Sequence, residues 1–228
     1  MIITAPYAGP VSFPLLVGKE LGKIDIDLRN SCKTSIIGDV ILDSITNIAS
    51  LGLDYKIVAA VYIDMYSILG DKNSKKLFTL RAGTLADMNA RLYALYTGKE
   101  VINTDSRTAI EMAQKGYMAI VGNEIKLGES LEDEFKALGI LSPSCIIYSH
   151  LDNNKNILDY YNKGISLISS MPKESAYVIS SYSEYYQFDI MKEIVSRYNH
   201  RLTENKNEIK KSLELYSKVF PPVATLSL

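Results

Sequence analysis

The chain of 228 residues has no tryptophan, two cysteines and two histidines, and each scarcity removes a class of explanation. Cys32 and Cys145 are too few for a disulfide framework, and no C-x-x-C pair gives the ligand spacing of a zinc site. Neither thiol has a neighbour in sequence that would lower its pKa, so both read as ordinary cysteines. His150 and His200 lack spaced partners for acid–base or nucleophilic work, and His200, within Asn199-His200-Arg201, reads as a surface residue. Charge of one sign is missing too. Lys+Arg number 25 against 26 Asp+Glu, so no basic field draws a phosphate backbone or an anionic bilayer, and nucleic acid is not expected as a partner. No run of about 18 apolar residues occurs, and the start MIITAPYAGP has no basic leader region. The expectation is a chain with no membrane span and no export signal, placed in the cytoplasm, or outside it if a leader has been trimmed. P-loop, G-x-G-x-x-G, G-x-S-x-G and H-E-x-x-H spacings are also absent, and neither a cofactor nor a metal is expected.

What is present is an alternation of short β-branched runs with amphipathic stretches, the pattern of βαβ units. Met1–Ala5 reads as a strand, and Ser12 as the cap of a helix running to Leu21 with Pro14 in its first turn. Lys23–Leu28 alternates as a strand near a sheet edge, and Thr34–Ile37 reads as a short buried strand broken by Gly38-Asp39. Ile41, Leu42, Ile45 and Ile48 then recur at helical spacing. Tyr55–Ile63 and Tyr66–Leu69 are extended. After the polar run Gly70–Ser74 the same grammar restarts, with strands at 77–80, 101–102, 117–121 and 145–148. Thr84 with Asp87 resembles a capping box, and Thr104 or Asp105 caps the following helix. From Asn154 the pattern is helical, over 155–170, 173–195 with breaks, and 203–218. The expected organisation is one lobe from 1–70 and 150–228 and a second from 71–149, with crossings near 66–72 and 145–150 and a cleft at the hinge.

Ligands of open α/β sheets gather beyond the carboxyl ends of the strands, where loops and helix N-termini meet. That rule selects Tyr7, Gly9 and Ser12 after the first strand, then Gly38 and Asp39. It also selects Arg81, Gly83 and Thr84, then Asp105, and finally Gly122, Asn123 and Glu124. Backbone N–H groups before a helix favour an anion, whereas Asp39 and Glu124 on the same rim favour an amine or a hydroxyl-rich guest. Thr84 and Asp105 also read simply as caps, and the glycines as turn residues. Tyr7 either roofs a pocket or packs on the neighbouring lobe. Arg81 either clamps an anion or is solvated. Tyr177, Tyr182, Tyr185 and Tyr186 offer a stacking surface or a helix–helix seam. His150, at the proposed second crossing, is catalytic only if the protein is an enzyme.

The runs ITAPYAGPVSFPLLVGKELG, TSIIGDVILDSITNIASLG, YKIVAAVYIDMYSILG and LRAGTLADMNARLYALYTGKEVINTDSRTAIEMAQKGYMAIVGNEI together resemble the type II periplasmic-binding-protein fold. They are similar to solute receptors for sulfonates, nitrate and thiamine-precursor pyrimidines, and to an archaeal domain family of unknown function. The resemblance covers about residues 1–150. It implies a two-lobed α/β protein with mainly parallel sheets flanked by helices and a helical C-terminal tail, of archaeal and, with 16 Tyr and many Lys, Glu and Ile residues, thermophilic character. It implies binding of a small polar or anionic molecule rather than catalysis, with a transporter as partner if the protein is exported. The alternatives on the same fold are a cytoplasmic enzyme like the futalosine-route lyases or dehydratases of menaquinone synthesis, and a ligand-sensing or regulatory protein.

Overall fold

The first strand, β1 (Ile2–Ala5), stops at Pro6 and is followed by a single 3-10 turn, Pro10–Ser12, that runs into helix α1 (Phe13–Glu20). The computed structural model describes residues 1–228. Ser12 does not cap α1 as expected. It sits inside the turn with helical backbone angles, its hydroxyl donates to the Gly9 carbonyl, and Gly9 takes the cap position. Strand β2 (Asp27–Asn30) follows on the edge of the sheet beside β1. Thr34–Ile37 is not a strand: Ile36 and Ile37 are exposed and the extended segment begins three residues later, as β3 (Val40–Ser44). Val40, Ile41 and Leu42 are buried in succession, the mark of a strand covered on both faces. The apparent helical period there comes from β3 running directly into the short helix α2 (Ile45–Ala49), which Ser44 caps through the Asn47 N–H. Strand β4 (Lys56–Tyr62) completes the first pass.

The second unit comprises β5 (Tyr66–Gly70), β6 (Lys76–Thr79), α3 (Leu85–Thr97), β7 (Glu100–Asn103), α4 (Ser106–Gln114), β8 (Met118–Gly122), the two-residue β9 (Glu129–Ser130) and α5 (Leu131–Ala137). The chain then forms β10 (Cys145–Ser149), α6 (Lys155–Ser170), α7 (Pro172–Tyr182), α8 (Phe188–Ile194), a strand unforeseen in the sequence, β11 (Arg201–Thr203), and α9 (Lys206–Ser217). By contact density, one unit holds Met1–Ile63, Pro143–Leu213 and Pro222–Leu228, and the other holds Asp64–Ser142 and Glu214–Pro221. Strand β5 therefore counts with the second unit, where it pairs with β8 and β9, and the segment 214–221 joins it there.

Each unit has one mixed sheet, flanked by helices. The six-stranded order is β11-β4-β10-β3-β1-β2 and the five-stranded order is β7-β6-β8-β5-β9. The mainly parallel pairing expected from the sequence gives way to a mixture. In the first sheet β1, β2, β3 and β4 run one way, but β10 lies antiparallel between β3 and β4, and β11 is antiparallel to β4. In the second, β6, β7, β8 and β9 run one way and β5 is inserted antiparallel between β8 and β9. Both sheets thus place a second, first and third strand in order, then a reversed strand, then a fourth. A strand arriving from the other unit reverses the local pairing without reversing the direction of its neighbours.

The first core is centred on α1, where Phe13, Leu15, Leu16 and Val17 are fully buried; at roughly 1.5–3 kcal/mol per side chain this short helix is a principal source of stability. It packs against α6 through glycine. A Cβ on Gly164 would lie 1.9 Å from the Pro14 carbonyl oxygen, and one on Gly18 would lie 3.9 Å from the Gly164 Cα. The second core gathers Phe78, Ala109, Ala119 and Val121, with Ile102 and Met112 packed on it. No helix is long and apolar enough to cross a membrane.

Helix propensity alone would favour Gly164→Ala by about 1 kcal/mol, while overpacking costs about 1–3 kcal/mol. Because the obstructing atom belongs to a helix backbone that cannot swing aside, chemical denaturation of Gly164→Ala is expected to show a net loss of about 2 kcal/mol or more. Ser166→Ala, on the exposed face of α6, should instead change stability by a few tenths of a kcal/mol.

Candidate functional site

Strand direction decides where a ligand can meet the chain. At the carboxyl edge of the first sheet, the loop after β1 makes a tight turn in which Gly9 N–H donates to the Pro6 carbonyl at 2.8 Å. Its carbonyls are then tied down one after another by side chains from the C-terminal half of the protein. Tyr186 Oη donates to the Ala8 carbonyl at 2.8 Å, His200 Nε2 meets the Pro10 carbonyl at 2.8 Å, and Tyr161 Oη donates to the Val11 carbonyl at 3.0 Å. Tyr7 adds a tie of its own, from its hydroxyl to the Leu28 carbonyl at 2.8 Å, while its N–H donates to Asn30 Oδ1 at 3.2 Å. With the carbonyls engaged, the N–H groups of Ala8 and Val11 make no hydrogen bond within the protein. A loop whose oxygens face the helical layer and whose spare donors are amides is electropositive on balance.

His200 is buried rather than at the surface as the sequence suggested. Its ring packs beside Phe13 and Tyr198, and burial lowers its pKa to about 4. A carbonyl can only accept, so the neutral ring carries its proton on Nε2.

The loop borders a cavity of about 320 Å³. One side is formed by Ala8, Asn30, Cys32 and Lys33, the other by Tyr182 through Tyr185. Helix α7 ends at Tyr182, so the four tyrosines of the tail do not share one helical stripe. Tyr182 and Tyr185 face the cavity. Tyr186 is buried edge-on against Phe13, and Tyr177 lines a separate, shallow hollow with Leu21 and Phe188. Tyr182 Oη donates to the Glu20 carboxylate, which pushes the tyrosine pKa up to about 12 and keeps it a phenol. Tyr7 stands edge-on to Tyr182 at 5.7 Å and so backs the wall. Lys33 and Glu184 pair at 2.9 Å across the rim, largely in solvent, an arrangement of little energetic weight. In the sequence Tyr182 and Tyr185 were read as a stacking surface or a helix–helix seam, whereas Asn30 and Lys33 were missed. Only the general rule that loops follow strand ends pointed to them, because the strand containing Asn30 was placed several residues early.

Gly38 and Asp39 do not join this edge. They precede β3 and so lie at the amino end of the strand, opposite the loop after β1. There Asp39 accepts from the Ile2 N–H at 2.7 Å and lies 3.7 Å from His150 Nε2, while Tyr55 Oη donates to the Gly38 carbonyl. His150 follows β10, a strand of roughly 15 Å that enters the first unit at Pro143 and ends at Ser149. It therefore sits at the far end of that strand from the crossing, packed on the Tyr55 ring at 4.9 Å, at the edge of its sheet opposite the loop after β1.

In the second unit, Arg81, Gly83, Thr84, Asp105, Gly122, Asn123 and Glu124 all follow strands at the carboxyl edge of one sheet. Most are occupied by the fold. Thr84 Oγ1 donates to the Arg81 carbonyl and accepts from Asp87 N–H as the cap of α3. Asp105 caps α4 by accepting from Thr108 N–H and Oγ1, which holds its carboxyl below the usual range. Asn123 spends its amide on the Ser67 hydroxyl and the Asp64 carbonyl. A Cβ on Gly122 would collide with the Glu124 carboxylate, so only glycine lets that side chain fold back. The buried centre is Asp87, which accepts from Gly83 N–H at 2.9 Å, Arg91 Nε at 2.9 Å and Asn103 Nδ2 at 2.8 Å. In the sequence Asp87 was read only as the capping-box partner of Thr84; its i,i+4 spacing to Arg91 was the further signal for this centre. Arg81 is exposed and remains the cation of this edge available to a guest.

The model of a family described as "Protein of unknown function (DUF3834)" matches residues 1–201. A crystal structure from Thermoplasma volcanium, named "Putative nitrate transport protein", is 43% identical, with a TM-score of 0.94 over 100% of this chain and 95% of that one. An ABC transporter structure from Parabacteroides distasonis gives 0.73 at 13% identity, over 100% and 96% of the two chains. The alkanesulfonate-binding protein of Xanthomonas axonopodis bound to MOPS gives 0.57 at 10%, over 100% and 94%. The fold is thus the type II periplasmic-binding-protein-like one that the sequence resembled. No curated protein matches the chain.

His200 has a folded pKa below its unfolded value, about 4 against 6.5, so the unfolded chain binds the extra proton first as pH falls. Stability from this residue is full above pH 6.5 and lost downward to about pH 4, by about 3 kcal/mol. Denaturation midpoints across that window should fall more steeply for the native protein than for His200→Gln, whose amide retains an Nε2 donor without titrating.

Proposed function

On the premise that the chain belongs to the DUF3834 family of proteins of unknown function, we propose that it is a solute-binding protein for a small polar or anionic molecule. The observation that carries this reading is the loop after β1, whose Ala8, Pro10 and Val11 carbonyls are held by Tyr186, His200 and Tyr161. Preorganised amides bind an anion without the entropic cost of first ordering the loop. The adjoining cavity of about 320 Å³ is of the size used by small ligands, and its tyrosine wall offers both ring faces and a phenol. Lys33 and Glu184 on its rim give the ligand's second end a cation or an acceptor according to its chemistry.

A binding role also agrees with what the tied side chains lack. Thr84, Asp105 and Asn123 are committed to backbone partners, and within the first unit His150 stands at the edge of its sheet opposite the loop after β1. A transporter partner belongs to this reading if the protein works outside the cytoplasm; inside it, the same site serves a solute store or sensor.

Thermal denaturation against nitrate, alkanesulfonates, carboxylates, phosphate and pyrimidines tests the proposal. A ligand at a hundred times its dissociation constant contributes about 2.7 kcal/mol, a rise of about 5–10 °C for a chain of this size. Tyr186→Phe, which releases the Ala8 carbonyl, should weaken the hit about tenfold while leaving the fold intact. No response to any anion, or a hit untouched by Tyr186→Phe and by Tyr182→Ala, would count against the site. Conversion of the ligand to product would replace binding by catalysis.

A further inference from the structure

We propose that the free edge of β7 in the second unit is a docking site for an extended acidic segment of a partner protein, which adds to the sheet as a further strand. Strand β7 ends the five-stranded sheet. Glu100 N–H donates to the Lys75 carbonyl and Thr104 N–H to the Thr79 carbonyl, both at 2.8 Å. The even-numbered residues therefore spend their backbone groups on β6, and Val101 and Asn103 turn theirs outward, as alternation in a parallel pair requires. Such an edge is a template for another strand.

A groove of about 390 Å³ runs along this edge, lined by Ala94, Leu95, Val101 and Val219 together with Arg91, Lys99 and Lys218. The cations bracket the strand. Lys99 precedes β7, with its ammonium on the Lys72 and Ser74 carbonyls at 2.6 and 2.7 Å. Arg91 Nη2 reaches Asn103 Oδ1 at the other end at 3.1 Å, and Lys218 Nζ lies 3.0 Å from Tyr96 Oη. Arg91 is neutralised by buried Asp87, but Lys99 and Lys218 hydrogen-bond to two carbonyls and to Tyr96 Oη rather than to a carboxylate. The groove thus carries two uncompensated positive charges. Glu100 does not cancel them: Ile102 packs into the core on the α4 side, so Glu100 shares that face and Val101 faces the groove. Leu95 is 56% exposed, an apolar contact for the alternate side chains of an incoming strand. A small anion would use the ammonium groups and leave the outward backbone of Val101 and Asn103 unmet, whereas an extended acidic peptide uses both. This site lies on the flank of the sheet and is independent of the solute reading.

The probe is a fluorescein-labelled heptapeptide alternating Glu and Val, compared with its Lys/Val counterpart, by fluorescence anisotropy on the full chain. The acidic peptide is expected to bind, more weakly as salt rises, and Lys218→Glu should reduce its affinity about tenfold. Val101→Pro, which deletes only an outward N–H and is tolerated at a sheet edge, should do the same with an unchanged melting temperature. If that variant melts early, N-methylation of alternate residues of the probe carries the test on the native protein, with the same tenfold loss expected. Equal binding of the two peptides overturns the proposal, as does indifference to both backbone blocks, and so does displacement by inorganic phosphate or free glutamate at the probe's own concentration.

Discussion

Three hydrogen bonds across 150, 178 and 190 residues of sequence hold one loop, and the rest of the first unit is arranged to make them. Tyr161 comes from α6, Tyr186 from the turn after α7, and His200 from the segment before β11. None can reach its carbonyl unless α1 is seated, because α1 lies directly beyond the loop and packs on α6 and α7. The glycine contact between α1 and α6 sets that distance: Gly164 meets the Pro14 carbonyl at a separation no Cβ allows. Burial of Tyr161 and His200 would be costly without these acceptors, since an unpaired buried donor loses its water and gains nothing. The core therefore stabilises the loop, and the loop's oxygens satisfy the core.

The same reasoning explains what a reader of the sequence could and could not see. The βα alternation, the caps at Thr84 and Asp105 and the turn at Gly83 are local, encoded within four residues, and all were legible. The strand Val40–Ser44 was not, because burial on both faces erases the period of two and its join to α2 counterfeits a period of 3.6. The three-residue β11 carries too little pattern to stand out from the helices around it. Ser12 had the right chemistry for a cap, but the 3-10 turn ahead of α1 moves the first free N–H groups upstream of it. His200 looked solvated beside Asn199 and Arg201; its burial depends on Phe13 and Pro10, which nothing local announces.

Strand direction had the larger effect on the site. A loop before a strand and a loop after it look alike in one dimension, both polar and rich in glycine. Gly38-Asp39 was grouped with the loop after β1 because the helix was thought to start at Ile41, which would have made Thr34–Ile37 the strand and Asp39 its trailing end. Moving the strand to Val40–Ser44 carries Asp39 to the opposite edge, where it meets His150 and the start of β1. The reversed strand β10 does the same to His150. Read as a residue at a crossing, it is instead at the end of a strand that has already traversed the sheet. Charge follows position: with Asp39 at the opposite edge, the loop after β1 loses the carboxylate that argued for an amine.

Side chains that sequence reasoning assigns to ligands are often claimed first by the backbone, and the second unit illustrates why. A threonine or aspartate at a helix start has an oxygen suited to an anion's counterpart or to an N–H two or three residues on, and the N–H is always present. Thr84 and Asp105 have both taken that option, and Asn123 is spent on the Ser67 hydroxyl and the Asp64 carbonyl. What remains for a guest in the first unit is what the fold leaves without a partner, the amides of Ala8 and Val11. Both are donors. Leftover backbone donors suit a guest that accepts hydrogen bonds, which is the ground on which the proposed solute site rests. The neutrality of His200 has a local cause. A charged imidazolium would be costly to bury beside Phe13 and Tyr198, so the ring holds the Pro10 carbonyl in its neutral form and serves by position.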